Sequence, residues 1–118
     1  MVITILADLQ DYLNVIEEQK REWLYTLLHF LELDVVHLDK LPSDLAAEYL
    51  IENHVYITDY PSIGALQVEY RKDSQSSLEV IGEWAGPEYH LKTDDKGKLY
   101  YEISIECWSV LDESIDME

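Results

Sequence analysis

The stretch from Leu9 to Leu31 constrains the fold more than any other. Leu6, Leu13, Lys20 and Leu27 occupy one heptad position, and Leu9, Ile16, Trp23 and Phe30 occupy the position three residues later. Apolar residues recurring at three and four positions line one side of an α-helix. Only Lys20 interrupts the stripe. A helix of ~23 residues would be ~35 Å long, which spans a small domain. No other segment is as long or as regular, so the remaining chain is expected to cover or extend this helix.

Its start has two readings. Asp8 is a good N-cap, with Asp11 in the place of a capping-box acid. On that reading the helix begins near Asp8, and Met1–Leu6 is an extended or helical lead-in. The β-branched run Val2-Ile3-Thr4-Ile5 also reads as a short strand. The two halves of the helix differ. In the first, Asp11, Asn14, Glu17, Glu18 and Arg21 leave a narrow apolar stripe, and Glu17 and Arg21 have the favourable i,i+4 order. In the second, Leu24, Leu28, Leu31 and Leu33 widen it, so Trp23–Leu31 is expected in the core.

Glu32–Lys40 is ambiguous between a fraying helix end and a short strand or loop. After Leu41-Pro42, Ser43 is placed to cap a second helix, Asp44–Asn53, with Leu45, Tyr49 and Leu50 inward. From Val55 the period becomes two. Val55–Thr58, Leu66–Tyr70, Leu78–Trp84, Tyr89–Leu91 and Tyr100–Trp108 read as strands. Asp59–Gly64 and Asp94–Gly97 read as turns. Gly82, inside a strand, marks a bulge or a close approach.

Helices followed by strands imply an α+β domain. A long N-terminal amphipathic helix and a shorter second helix pack on one face of a four- to five-stranded antiparallel meander. Residues 1–111 form one domain, and 112–118, with four acids, are expected to be a disordered tail.

The 118 residues carry 25 acids and 8 bases, a formal charge of −17. The excess is spread along the chain: 11 acids and 3 bases in residues 1–54, 14 and 5 in the rest. Such a surface repels nucleic acid and anionic membrane and attracts basic partners. One cysteine, Cys107, precludes an intrachain disulfide. No apolar run approaches the ~20 residues of a membrane span. The first residues lack the basic region of a signal peptide. These features together lead to the expectation of a cytoplasmic protein.

With the helices on one sheet face, the other face is open. Strand parity assigns to it Glu69, Arg71, Glu79, Ile81, Glu83, Tyr100, Glu102, Ser104, Glu106 and Trp108. Acids interleaved with aromatics suit a basic protein surface, charge steering the encounter and rings anchoring it. An ordinary solvated face is the plainer alternative, if the acids never meet across strands. The expected partner-binding residues are Glu79, Glu83, Tyr100, Glu102, Glu106 and Trp108. Lys20 within an apolar stripe also suits a register-setting polar position, so Leu9, Leu13, Ile16 and Lys20 form a candidate homodimer seam.

No catalytic or metal motif is present. His29, His37, His54 and His90 lack ligand spacing, four glycines leave little for a phosphate cradle, and Cys107 has no nucleophile motif around it. The chain is therefore expected to be no enzyme and to use no cofactor or metal. In size and charge it is similar to toxin-immunity proteins and to phage-type inhibitors of nucleic-acid enzymes, on composition alone. The function expected is an acidic protein-interaction module that binds, and blocks, a basic partner. The alternative is a small-ligand-binding α+β domain, dimeric in one version, with Tyr49, Tyr70, Trp84 and Tyr101 lining a pocket between helices and sheet.

Overall fold

A computed structural model describes residues 2–85 and 87–111. The expected acidic tail, 112–118, lies outside the described residues. Three helices pack against a six-stranded antiparallel sheet. The elements in chain order are β1 (Val2–Asp8), α1 (Tyr12–Phe30), α2 (Val35–Lys40), α3 (Ser43–Glu52), β2 (Val55–Tyr60), β3 (Ala65–Tyr70), β4 (Glu79–Trp84), β5 (Glu88–Thr93) and β6 (Leu99–Ser109).

The spine is β6. One side pairs with β1, from Val2 opposite Glu106 to Asp8 opposite Tyr100. The other side pairs with β5 over Leu99–Ser104 and with β4 over Cys107–Ser109. So β4 and β5 lie end to end along β6, and β3 and β2 continue the sheet beyond β4. The segment before the long helix is thus a strand. Its β-branched residues enter the sheet beside the last strand, and α1 begins after a turn in which the Asp11 amide donates to the Asp8 carbonyl at 3.1 Å. Asp8 is therefore no N-cap; Asp11 occupies that position without a side-chain capping bond.

The core lies between α1 and the sheet. Leu27 and Leu28 are fully buried, as are Val55, Val68, Ile103 and Ile105. Trp23 on α1 packs against Trp84 on β4, ring centroids 5.7 Å apart. The second half of the helix is indeed the more deeply buried. The stripe is not uniform, because Leu13 and Phe30 are more than half exposed.

Helix α1 ends in a Schellman arrangement. The Leu33 amide donates to the Leu28 carbonyl, and the Glu32 amide to that of His29. Glu32 takes the left-handed position, φ 64°, and Leu33 folds back into the core with Leu28. The ambiguous segment that follows is the short helix α2. The Asp34 carboxylate caps it by accepting from the His37 amide at 2.9 Å. On α3 the inward residues are Ala46, Tyr49 and Leu50, whereas Leu45 is 45% exposed.

One irregularity resets the parity of β4. The pairing shifts so that Val68 faces Gly82 while Glu69 faces Val80. Ile81 is the extra residue of a bulge. It turns inward and is buried, not on the open face as parity implied. Glu79, now opposite Tyr70, loses its place on the open face for the same reason. Gly82 is also a close approach: a Cβ there would lie 2.9 Å from Leu27 Cδ2 and 3.0 Å from Trp23 Cζ2.

Candidate acidic binding hollow

The sheet face away from the helices carries a row of side chains running across four strands. Thr58 is opposite Gln67, Gln67 opposite Glu83, and Glu83 opposite Trp108. Directly paired residues share a face. Two residues back along β6, Glu106 stands on the same face beside Val2 of β1. Where β4 gives way to β5, the Ala85 amide donates to the Glu106 carbonyl at 2.8 Å. That bond pins the strand joint against β6 and leaves a hollow of about 370 Å³, lined by Val2, Glu83, Ala85, Glu106, Cys107 and Trp108.

Three expected partner-binding residues, Glu83, Glu106 and Trp108, therefore meet at one place. Glu102 and Tyr100 share their face but lie farther along β6. At ~3.3 Å per residue, Glu102 is about 13 Å from Glu106 and Tyr100 about 26 Å from Trp108. Glu79 is on the other face. The six residues are one cluster of three with outliers. Val2, Ala85 and Gln67 join the site without having been read from sequence, because their nearness depends on strand order.

No two carboxylates are directly opposite in the sheet. Glu69 faces Tyr56 and Val80, Glu102 faces Leu6 and His90, and Glu106 faces Val2. The acidic face thus avoids the cross-strand repulsion that would weaken it. Two of the eight Lys and Arg side chains pair elsewhere, Lys98 with Asp8 at 3.5 Å and Lys20 with Glu17 at 3.3 Å, while Lys92 stands opposite Tyr100 at the far end of this face. Arg71 donates to the Tyr56 hydroxyl at 3.2 Å and lies over its ring. Among the described residues, Glu83, Glu102 and Glu106 have no ion-pair partner.

Comparison with family models, with curated proteins and with solved structures found no match. Among the described residues, no helix is long and apolar enough to cross a membrane, and no group of three His, Cys, Asp or Glu residues is gathered to hold a metal ion.

The candidate seam is divided by the fold. Leu9 lies in the turn before α1 and is 40% exposed, Leu13 is exposed, and Ile16 is buried in its own chain. Lys20 meets Glu17 of its own helix at 3.3 Å. Leu13, Ile16 and Lys20 form one wall of a groove of about 640 Å³, whose other wall is the β2–β3 turn with Pro87 and Tyr89.

Of the residues named for a ligand pocket, Trp84 and Tyr101 stand well apart. Trp84 is in the core beside Cys107. Tyr101 is six positions along β6 from Cys107, about 20 Å, and packs with Tyr12 and Tyr89 at centroid distances of 4.7 and 5.8 Å. Burial in this tyrosine cluster pushes the Tyr89 hydroxyl above its ordinary pKa. Tyr49 accepts a hydrogen bond from the Asp34 amide, joining α3 to the start of α2.

Proposed function

We propose that the chain is an acidic binding module that receives a basic protein, with the Glu83–Glu106–Trp108 hollow taking a lysine or arginine side chain. The observation that carries this reading is the pairing of two carboxylates without basic partners and one half-buried indole around a single hollow. A cation placed there gains attraction from both acids and from the indole face, the last contributing about 0.5–2 kcal/mol. The charge of −17 steers a basic protein toward this surface from a distance. Binding rather than catalysis is the role this chemistry suits, and blocking the partner follows where its basic surface is its working surface.

The test is capture of the partner from the native host, followed by binding kinetics. Glu83→Lys and Glu106→Lys slow association and flatten its dependence on salt, and Trp108→Ala speeds dissociation. Unchanged kinetics in all three variants would show that the partner binds elsewhere.

A further inference from the structure

We propose that the outer edge of β1 is where an extended basic segment of the partner adds to the sheet as a further strand. This rests on the acidic-module reading and states the form in which the partner arrives.

An edge strand offers unpaired N–H and C=O groups on alternate residues, and proteins ordinarily guard such edges with charge, proline or bulges. Strand β5 is guarded: Glu88, His90 and Lys92 alternate along it. Strand β1, Val-Ile-Thr-Ile-Leu-Ala-Asp, has no proline and no lysine, and its only charge is at the end. Its pairing with β6 runs through seven positions without a register shift. Among the described residues, nothing pairs with its outer side. Val2 and Leu6 are 59% and 65% exposed.

The neighbouring charges select the occupant. On the open face, Val2 and Leu6 stand beside Glu106 and Glu102. An added strand would place the side chains opposite Val2 and Leu6 two strand spacings, about 10 Å, from those glutamates. Lysine and arginine are long enough to bridge that gap. On the other face, Ile3 and Ile5 are half-buried and Ala7 is buried, so the alternate side chains of the added strand would be apolar. The occupant is therefore an extended segment alternating basic and apolar residues. Because Val2 also lines the hollow, a basic side chain at that end reaches Glu106 at the rim of the hollow, with Glu83 one strand farther on. A second copy of this chain is a poor occupant, since it would bring an identical acidic face and another −17 alongside.

The probe is the capped heptapeptide Lys-Val-Lys-Val-Lys-Val-Lys, with Lys-Pro-Lys-Pro-Lys-Pro-Lys as a control of equal charge that cannot form a strand. Amide hydrogen exchange and chemical shifts are followed on the isotopically labelled full chain. The expected result is slowed exchange of alternate amides in Val2–Asp8 with the valine peptide, and binding weaker by about tenfold or more with the proline peptide. Thr4→Lys, a charge set in the middle of the edge, reduces binding of the valine peptide by a similar factor without changing the spectrum elsewhere. Equal binding of both peptides, or shifts confined to Glu83, Glu106 and Trp108, would overturn the edge and leave the acidic module standing. Binding of neither peptide also overturns the edge, while capture kinetics decide the module separately. Protection of β1 without peptide, accompanied by dimerisation in sedimentation, would assign the edge to a second copy and overturn the proposal.

Discussion

Gly82 on β4 lies directly beneath Leu27 on α1, close enough that a Cβ at Gly82 would be 2.9 Å from Leu27 Cδ2. The missing side chain is what lets the helix settle on the sheet at the point where Trp23 and Trp84 also meet. Gly82→Ala is expected to destabilise the fold by about 1–3 kcal/mol through overpacking. Urea unfolding measures this. Leu27→Ala alone leaves a cavity and costs about 2–5 kcal/mol. The double variant should cost clearly less than the sum, because the alanine methyl enters the space that Leu27 vacates. Strict additivity would mean that the two residues do not share that space.

Glu32 holds a left-handed backbone, φ 64°, at the residue where the α1 Schellman turn favours glycine. Its side chain is exposed and adds negative charge to a helix C-terminus, where the dipole is already negative. Glu32→Gly should therefore stabilise the protein by about 0.5–1 kcal/mol, part of the gain being offset by glycine's greater freedom when unfolded. A rise in melting temperature of roughly 3 °C would accompany it. Glu32→Ala keeps the backbone strain and should give little of this gain. Equal gains for glycine and alanine would point to the charge rather than to φ.

That same turn shows why part of the chain was legible and part was not. Periodicity over many residues announced α1, and strict alternation announced β6, because each pattern follows from one face being buried. The end of α1 was obscure because Glu32 stands where glycine would have signalled a Schellman turn. Val2–Asp8 could be read as strand or helix lead-in, since its pairing partner, Leu99–Ser109, is distant in sequence and leaves no local trace. At the open face, alternation along β6 found Glu106 and Trp108, but the bulge at Ile81 reversed the parity of Ile81 and Glu79. Gly82 hinted at the bulge without saying which neighbours would flip. Val2 and Ala85 depend on strand order, which no local pattern encodes.

Tyr25 on α1 donates its hydroxyl to Asp39 Oδ1 on α2 at 2.9 Å. Burial first, and then the bond and charge of Asp39, hold the Tyr25 hydroxyl above its ordinary pKa. A folded-state pKa above the unfolded one stabilises the protein fully below the unfolded value, about 10. That contribution is lost as pH rises through the higher folded value. Stability should therefore fall on the alkaline side of about pH 10. Tyr25→Phe should lower stability at neutral pH and make the alkaline decline shallower. Part of the decline should remain, because Tyr89 is shifted in the same direction. Denaturant midpoints across the alkaline range check this, and a decline of the same steepness in Tyr25→Phe would remove Tyr25 as a cause.

Trp108 reports on the charge of the hollow without any partner. It faces Glu83 across the strand pair and has Glu106 beside it on the same face. Two carboxylates near a half-buried indole concentrate cations and exclude anions. With each ion's quenching normalised to that of free N-acetyltryptophanamide, caesium should quench its fluorescence more efficiently than iodide, by roughly twofold or more. The signal of Trp108 is isolated by subtracting a Trp108→Phe variant, since Trp84 is buried and Trp23 packs against it. Glu83→Gln and Glu106→Gln should each narrow the gap between the two ions, and added inert salt should narrow it further by screening. Glu79→Gln should leave it nearly unchanged, because the bulge has turned that residue away from the face. Equal normalised quenching by caesium and iodide in the parent protein would show that the hollow is not acidic in solution, and the proposed reception of a basic side chain would lose its physical basis.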